Sequence, residues 1–388
     1  MSFDAEVIVA GCGPVGLTAA LCLAKSGIRV SVFEKRAALS TASLASTIHP
    51  PTLEILDDLG VLAPVMSFGR VVDTIQHRGP DGVFAEFHLG DLAPHTRFPF
   101  RLHLEQARIT PVMLRMLQAL PNARVDFDHA VLGVRSSPSG VVAVVAGPDE
   151  NREIEVRYLL GADGARSAVR EALGLTFNGL DYPDKILRLI TTDDLDRLLP
   201  GIAPVTYVYN GARSISFLQM ADCWRIILRV PAETEDAEAM DPAWILQRLQ
   251  AVLPDCDRLP DIAGLDVYRA SRRVAASFRQ GRTYLIGDAA HVTSTRGGMN
   301  MNCGIHDATA LASAIAAPSA DPVLVEEASD RRRVVATEAL IPRTDRNVTG
   351  GVAWTEKLRA IAGDPEAASA YLRSSAMLDM LERANVHA

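Results

Sequence analysis

The sequence has few cysteines, and no two of them stand at the spacing of a metal or redox motif. Five cysteines are scattered over 388 residues, and none belongs to a Cys-x-x-Cys pair. An odd, dispersed set fits neither a disulfide framework nor a zinc site, so we expect a protein of the reducing cytoplasm. The five are Cys12, Cys22, Cys223, Cys256 and Cys303.

Positive charge is also scarce. The 39 Lys and Arg residues against 47 Asp and Glu residues give a formal net charge of -8, and the basic residues are not clustered. This pattern argues against nucleic acid or an anionic membrane surface as a partner. The uncharged stretch 7–24 is long enough for a short membrane span, but Gly11, Gly13, Pro14 and Gly16 would break a spanning helix. We therefore expect no membrane segment.

Several catalytic patterns are missing as well. The chain has no Gly-x-Ser-x-Gly elbow and no set of His, Asp or Glu at metal-ligand spacing, so we predict neither a serine hydrolase nor a metal site. No internal repeat or low-complexity tract is present. The length and the 48% hydrophobic content support a substantial core, arranged as two domains or as one large intertwined unit.

A glycine-rich turn near the N-terminus is the first positive signal. The sequence Gly-Cys-Gly-Pro-Val-Gly at 11–16 follows a strand-like run and opens a helix, and the next strand-like run ends at Glu34. Gly11 permits the turn, Gly13 lets the backbone approach a pyrophosphate, and Gly16 allows close helix–strand packing. Glu34 is placed to accept hydrogen bonds from an adenosine ribose. The pattern predicts dinucleotide binding; the alternative is an ordinary glycine turn beside an exposed glutamate.

Two later elements favour FAD over NAD. An apolar strand runs into Asp163-Gly164, and a short buried strand at 283–286 runs into Gly287-Asp288. Each element alone is equally well explained as a turn with an acidic helix cap. The three elements in this order indicate one FAD site. Because the chain has only one Gly-x-Gly-x-x-Gly turn, we expect any nicotinamide cofactor to bind transiently.

The remaining pattern predicts an α/β protein with an antiparallel sheet in its middle third. Helices are predicted at 17–25, 105–120, 241–253 and 302–316, with a helical pattern from 321 onward. Strands are predicted at 6–10, 28–34, 70–78, 83–89, 124–128, 131–135, 141–145, 153–160, 205–209, 214–220, 224–230 and 283–286.

The fold class expected from these elements is α/β, with a Rossmann-like FAD-binding domain (GR2-type), an inserted β-sheet substrate domain and C-terminal helices. The FAD-binding domain is discontinuous in this prediction. We assign 1–69, 101–176 and 268–320 to the FAD-binding domain, 70–100 and 177–267 to the substrate domain, and 321–388 to a C-terminal helical segment.

With these motifs the chain resembles the group A flavoprotein monooxygenases, the family of para-hydroxybenzoate hydroxylase. The matching pieces are the glycine turn with Glu34, the stretch 49–56, Asp163-Gly164 and Gly287-Asp288. The resemblance implies a monooxygenase that uses NAD(P)H and O2 to hydroxylate a small aromatic or polyketide-like substrate through a flavin C4a-hydroperoxide. Most of that chemistry belongs to the cofactor, while the protein excludes water and positions the target carbon.

The resemblance also implies residue roles. Asp288 would hold the ribityl chain, Asp163 would lie by the FAD and be linked to NAD(P)H use, and Gln106 would contact the cofactor. The helix predicted near Asn302 should aim its first amides at the flavin pyrimidine edge. The expected FAD contacts are Gly11, Gly13, Pro14, Val15, Gly16, Glu34, Lys35, Arg36, Gln106, Asp163, Gly164, Gly287, Asp288, Gly298, Met299, Asn300, Met301 and Asn302.

No catalytic acid or base is evident from the sequence. The residues expected near the flavin ring are Arg225, by the resemblance, and Thr295 and Arg296. His291 and His306 flank the flavin loop, where a capping or packing role is the simpler interpretation.

Polar and aromatic residues of the middle strands are the candidates for substrate binding. An alternating pattern of this kind is equally consistent with a plain core. The candidates are Tyr207, Tyr209, Phe217, Gln219 and Trp224.

Three departures from the family pattern lie where the flavin ring would be. Leu44 stands where relatives have an arginine that contacts FAD, 293–296 replaces a proline-rich stretch, and Asn300 replaces a glycine. They keep other functions open: epoxidation, Baeyer–Villiger insertion or dehydrogenation on the same scaffold, or a flavin-binding protein whose cofactor is structural and non-redox. We expect a monomer or a homodimer.

Overall fold

The structure is a computed structural model. It describes residues 4–42, 45–210, 213–253, 255–319, 321–349 and 352–380. Leu44 lies outside the described residues.

Twenty strands and twelve α-helices make up the described part of the chain. The strands are β1 Val7–Ala10, β2 Val30–Glu34, β3 Thr47–Ile48, β4 Arg70–Val72, β5 Thr74–Gly79, β6 Gly82–His88, β7 Arg101–His103, β8 Ala123–Phe127, β9 Ala130–Ser136, β10 Val141–Ala146, β11 Asn151–Val156, β12 Tyr158–Gly161, β13 Phe177–Thr191, β14 Val205–Asn210, β15 Arg213–Gln219, β16 Trp224–Val230, β17 Gly264–Ala275, β18 Arg279–Gln280, β19 Thr283–Leu285 and β20 His291–Val292. The helices are α1 Pro14–Lys25, α2 Pro50–Asp58, α3 Leu62–Val65, α4 Gln106–Gln118, α5 Ala168–Ala172, α6 Asp236–Ala239, α7 Pro242–Gln250, α8 Asn300–Ala316, α9 Pro322–Val334, α10 Ile341–Thr349, α11 Val352–Ala362 and α12 Pro365–Ser375.

A six-stranded sheet organises the nucleotide-binding part of the chain. Its order is β18-β19-β12-β1-β2-β8, and every neighbouring pair is parallel except β18 with β19. Both faces are covered, which explains why strands such as β1 and β12 are apolar at every position. On one face, side chains such as Val9 and Leu160 pack with α1, α4 and α8. On the other face, Ile8 and Leu159 pack with the antiparallel sheet β11-β10-β9.

An eight-stranded sheet forms the second part of the fold. Its order is β20-β17-β13-β16-β15-β14-β5-β6, antiparallel throughout except for β14 with β5. One face packs against α7 around Phe217, Ile226 and Trp244. Helix α7 begins after Asp241, close to the predicted helix start, and the Asp241 carboxylate accepts hydrogen bonds from the backbone nitrogens of its first turn.

The C-terminal helices pack on both parts of the fold. Helix α9 lies against α8, while Leu358 of α11 and Leu372 of α12 join Ile75 and Phe87 in a core beside the β5–β6 hairpin. A further small sheet has the order β3-β7-β4. Along the sequence, its strands lie between strands of the two large sheets. Among the described residues, none of the helices has the length and hydrophobicity needed to cross a membrane.

The expected fold class is confirmed, with some differences in the elements. The run 153–160 was predicted as one strand, but the chain breaks at Arg157 into β11 and β12, which belong to different sheets. Helix α8 begins at Asn300, two residues earlier than predicted. The long strands β13 and β17 were not predicted, and β17 spans the proposed domain boundary at 267/268. The domain division itself stays a prediction.

Candidate active site

Four turns meet at one edge of the six-stranded sheet. The parallel strands β1, β2, β12 and β19 lead at their carboxyl ends into the glycine turn, Glu34, Asp163 and Asp288. In a parallel sheet these ends lie side by side, so segments far apart in sequence form one ligand-binding edge. The three sequence elements that predicted a single cofactor site are therefore adjacent in space.

The glycine turn is packed too closely for side chains at two of its positions. Gly11 has a φ of +104°, and a Cβ there would stand 2.4 Å from the carbonyl oxygen of Ala162. A Cβ on Gly16 would stand 2.1 Å from the carbonyl oxygen of Gly11. A Cβ on Gly13 would meet nothing within 4 Å, since this residue faces the open cleft. The turn thus brings bare backbone to the cleft at the N-terminus of α1, where an anionic group is stabilised.

The carboxylate of Asp163 is the second feature of this edge. Its Oδ2 atom accepts a hydrogen bond of 3.1 Å from the backbone nitrogen of Val169. Its Oδ1 atom is buried and has no hydrogen-bond partner among the described residues. Burial raises the pKa of Asp163, against hydrogen bonds from Ser167 and nearby backbone that lower it. An unpaired carboxylate oxygen on the cleft wall is an acceptor for a donor from a ligand.

Asp288 forms the third feature, beside the first turn of α8. Its side chain is open to the cleft and otherwise enclosed by protein, and its Oδ1 atom accepts a 2.8 Å hydrogen bond from Asn300 Nδ2. The enclosure raises the pKa of Asp288, while the His291 charge and the Asn300 hydrogen bond oppose the rise. A carboxylate in this position accepts hydrogen bonds from ligand hydroxyl groups.

These features line one continuous cleft of about 1440 Å3. Pockets for single small ligands hold roughly 300–1,000 Å3, so the cleft has room for an extended dinucleotide and a second molecule. The predicted contacts that line it are Gly11, Gly13, Pro14, Val15, Glu34, Lys35, Arg36, Gln106, Asp163, Gly164, Asp288, Gly298, Met299, Asn300 and Met301.

Three predicted cofactor contacts do not line the cleft and act as packing residues behind it. Gly16 packs on Gly11, and the backbone nitrogen of Gly287 donates to buried Asp307. Asn302 is fully buried: its Nδ2 atom donates to the carbonyl oxygens of Thr47 and Gly298, and its Oδ1 atom accepts from the backbone nitrogen of His49. It joins the α8 start to the loop around β3.

Arg225 joins the two large parts of the fold within the cleft. It extends from β16 to an ion pair with Glu105, the residue before α4, and donates a 2.8 Å hydrogen bond to Ser46 Oγ. Burial lowers its pKa, against the charge of Glu105, which raises it. The predicted neighbours Thr295 and Arg296 also line the cleft. The Arg296 guanidinium lies 5.9 Å from the centre of the Tyr207 ring, at a cation–π distance.

Of the five predicted substrate residues, Tyr207 alone lines the cleft. Phe217 and Trp224 point to the opposite face of the sheet, where they pack in the α7 core. Tyr209 lies behind the wall, with its hydroxyl 3.3 Å from His77 Nδ1. The side chain of Gln219 does not line the cleft, and its backbone carbonyl oxygen accepts a hydrogen bond from His103. This corrects the prediction for four residues. Side chains alternate between the two faces of a strand, and the sequence did not show that Phe217 and Trp224 face α7. Tyr209 shares the face of Tyr207 but packs against His77 beyond the cleft lining.

Strand β7 supplies a polar part of the cleft wall that was not predicted from the sequence. Buried Arg101 and His103 both line the cleft. His103 Nδ1 lies 2.7 Å from the carbonyl oxygen of Gln219, which can only accept, so Nδ1 carries the proton. Burial lowers the pKa of His103 to about 4, assisted by Arg101 and Arg225 and opposed by the Gln219 hydrogen bond. A three-residue strand with two polar ends carries no sequence signal that distinguishes it from a surface loop.

Among the described residues, one group of side chains has the spacing of a metal site: His291, Cys303 and Asp307. The guanidinium of Arg332 lies among them, with Nε 2.6 Å from Asp307 Oδ1 and Nη2 3.1 Å from Cys303 Sγ. A fixed cation already balances the carboxylate there. The contacts therefore describe a buried ion-pair network.

Comparison with known proteins identifies the family. The sequence profile described as "FAD binding domain" matches residues 4–341, most of the chain. The chain belongs to this FAD-binding family. The expectation of an FAD-binding protein related to flavoprotein monooxygenases is thereby confirmed.

The relatives of this FAD-binding protein include oxygenases of small aromatic rings. It is 32% identical over 353 residues to para-nitrophenol 4-monooxygenase of Pseudomonas sp. (strain WBC-3), covering 88% of this chain and 86% of the relative. It is 32% identical over 388 residues to 6-hydroxy-3-succinoylpyridine 3-monooxygenase of Pseudomonas putida (strain DSM 28022 / S16), covering 94% and 95%. The crystal structure of p-nitrophenol 4-monooxygenase from Pseudomonas putida DLL-E4 aligns with a TM-score of 0.87 at 28% identity, covering 99% of each chain.

Proposed function

We propose that the protein is an FAD-dependent monooxygenase that uses NAD(P)H and O2 to hydroxylate a small aromatic or polyketide-like substrate. One observation carries the proposal: the cleft runs without interruption from the glycine turn, past Asp163 and Asp288, to the exposed face of the second sheet at Tyr207. A dinucleotide site that opens onto a separate polar and aromatic wall can hold a cofactor and a second molecule end to end.

The residues present fit FAD. The glycine turn and the α1 N-terminus would receive the pyrophosphate, with Pro14 and Val15 beside it. Glu34, with Lys35 and Arg36 after it, would receive the adenosine ribose, and Asp288 the ribityl hydroxyls. The unpaired Oδ1 atom of Asp163 supports a ligand donor at that wall. When bound, FAD supplies hydride acceptance and O2 activation.

The protein's own contribution would be binding, orientation and exclusion of water. Met299 precedes α8, and Asn300 and Met301 begin this helix at the cleft, so the backbone amides of its first turn would stabilise negative charge on the ring system. Gln106 and Arg225 would lie along the cofactor, and Thr295, Arg296 and Tyr207 would face the substrate. Gly298 places backbone next to Thr47 at this point. We assign no side chain as catalytic acid or base.

The nicotinamide would bind transiently, because the described cleft has one glycine turn of the dinucleotide type. All five cysteines are free, which supports a reducing compartment such as the cytoplasm. We propose a monomer or homodimer that acts on a small molecule.

The test is a set of measurements on the purified protein. A flavin absorption spectrum is expected, together with NADH or NADPH oxidation stimulated by p-nitrophenol, the substrate named for the similar enzymes. Incorporation of isotopically labelled O2 into the product would establish hydroxylation. A flavin that stays oxidised with either nicotinamide and every phenol tried would favour a structural cofactor, and epoxide, lactone or desaturated products would identify the other flavin reactions.

A further inference from the structure

A continuous chain of side chains connects the protein core to the cleft behind Asp288. Arg332 Nε lies 2.6 Å from Asp307 Oδ1, and Asp307 Oδ2 lies 2.8 Å from His291 Nε2. His291 Nδ1 lies 3.2 Å from Asn300 Oδ1, and Asn300 Nδ2 lies 2.8 Å from Asp288 Oδ1. His291, Asp307 and Arg332 are almost fully buried, whereas Asp288 is open to the cleft.

The direction of each hydrogen bond follows from what the end groups can do. A carboxylate only accepts, so the Asn300 amide presents its NH2 group to Asp288 and its oxygen to His291. The His291 Nδ1 atom must then donate to that oxygen, while Nε2 donates to the carboxylate of Asp307. Thr293 Oγ1 lies 3.5 Å from Asn300 Oδ1 and 3.3 Å from the carbonyl oxygen of Ser294, so its single proton is shared between two acceptors. With both ring nitrogens donating, His291 is an imidazolium.

The surroundings of His291 support this charge state. Burial alone would lower its pKa, but Asp307 and Cys303 face the ring and raise the pKa well above the ordinary value. Burial likewise acts to raise the pKa of Asp307, and the charges of Arg332 and His291 outweigh it and lower that pKa. Phe278 stacks on the ring at 5.9 Å and adds no charge. Along this series of contacts the cations Arg332 and His291 thus alternate with two carboxylates, and the charges balance each other.

Asn300 links the buried ion pairs to the cleft, because its amide contacts both His291 and Asp288. Without the Asn300 amide, the Asp288 carboxylate would lose its hydrogen-bond donor among the described residues and could rotate within the cleft.

We propose that Asn300 is a positioning residue that orients the Asp288 carboxylate for the cofactor by tying it to the buried His291 imidazolium. This inference rests on the proposed FAD binding at Asp288. In this arrangement the Asp288 carboxylate is held by hydrogen bonds of defined direction that lead to a buried charge, and not by close packing.

Two variants at one position test the inference. Asn300→Ala removes both hydrogen bonds, and Asn300→Asp keeps the size and the acceptor for His291 but puts a carboxylate against Asp288. We expect the FAD dissociation constant, measured by flavin fluorescence with the apoprotein, to rise about tenfold in Asn300→Ala, the scale of one charge-assisted hydrogen bond. It should rise further in Asn300→Asp. Asn122→Ala, which also removes two side-chain hydrogen bonds but lies outside the cleft lining, is the matched control with an expected change below about threefold.

A second readout does not require the cofactor. In protein with 15N-labelled histidine, one ring should show both nitrogens protonated at neutral pH, and its Nδ1 resonance should shift in Asn300→Ala. Unchanged FAD affinity in both Asn300 variants, or the absence of such a doubly protonated ring, would overturn the inference. Wild-type protein that binds no FAD would overturn the proposed function instead, and the histidine measurement would still decide the charge state of His291.

Discussion

The carboxylate of Glu34 lies 2.8 Å from the backbone nitrogen of Cys12, so the end of β2 is joined directly to the glycine turn after β1. The other carboxylate oxygen accepts from the backbone nitrogen of Arg36 at 3.1 Å. The two contacts hold the carboxylate at the cleft beside the turn, where an adenosine ribose would meet it. Its position is set by backbone atoms and is therefore present before any ligand binds.

We predict that Glu34→Gln weakens FAD binding about tenfold, since the amide keeps one acceptor but loses the charge that strengthens hydrogen bonds from ribose hydroxyls. Titration of apoprotein with FAD measures the effect. Glu153→Gln is the control, because Glu153 is exposed and paired with Arg135 on the far sheet β9–β11. Equal affinities for wild type and Glu34→Gln would remove Glu34 from the cofactor site.

Substitution of Gly13 and Gly16 should separate binding from folding. Gly13 has a φ of -79°, which alanine adopts, and its Cβ would meet no atom within 4 Å. We predict that Gly13→Ala folds normally but binds FAD at least about tenfold more weakly, because the methyl group occupies the approach of the pyrophosphate. Gly16→Ala should lower the free energy of unfolding by about 1–3 kcal/mol through overpacking against the Gly11 carbonyl.

Urea unfolding and FAD titration of each variant give the two quantities. Gly90→Ala is the matched control, since a Cβ at Gly90 also meets nothing within 4 Å and Gly90 lies outside the cleft lining. Tight FAD binding by Gly13→Ala would contradict the proposed pyrophosphate position.

Local sequence signals predicted the elements that build the cofactor edge. The glycine turn, Asp163-Gly164 and Gly287-Asp288 each follow a short apolar strand, and all three signals lie within a few residues of the element they predict. The start of the helix predicted at 241–253 is likewise close to the observed start of α7 at Pro242. Conversely, β13 and β17 pair over a large separation, and both carry charged and polar residues at half-buried positions along the cleft. No regular alternation of apolar residues remains there to mark a strand.

Contacts that depend on tertiary packing could not be predicted. The sequence shows aromatic residues on β14, β15 and β16, but only the position of α7 decides which face is core. Likewise, His291 and Asp307 are near in sequence, whereas Arg332 comes from α9. The packing of α9 against α8 brings Arg332 to Asp307, and no local pattern in the sequence marks that contact.

The two faces of the middle sheet should respond differently to substitution. Phe217→Ala is expected to lower the free energy of unfolding by about 3–5 kcal/mol, because the ring is fully buried against α7. Tyr207→Phe should change stability less and raise the KM for p-nitrophenol, since its side chain lines the cleft. Urea unfolding and steady-state kinetics measure both effects. A Phe217 variant with normal stability and a raised KM would restore this residue to the substrate pocket.

Stability should fall in mild acid because of buried neutral histidines, and His306 provides the clearest case. Its Nε2 atom lies 3.0 Å from Thr52 Oγ1, and burial, with Arg332 nearby, lowers its pKa to about 3 from 6.5, against an opposing effect of Asp307. Below pH 6.5 the unfolded chain takes up a proton that the native state refuses. The contribution of neutral His306 to the free energy of unfolding is therefore complete above pH 6.5. It decreases by up to about 1.4 kcal/mol per pH unit as the pH falls towards 3.

Urea unfolding across this range should give a smaller pH slope of the free energy of unfolding for His306→Gln than for wild type. His95→Gln, at an exposed position, should keep the wild-type slope. Identical slopes for wild type and His306→Gln would mean that His306 is protonated in the native state.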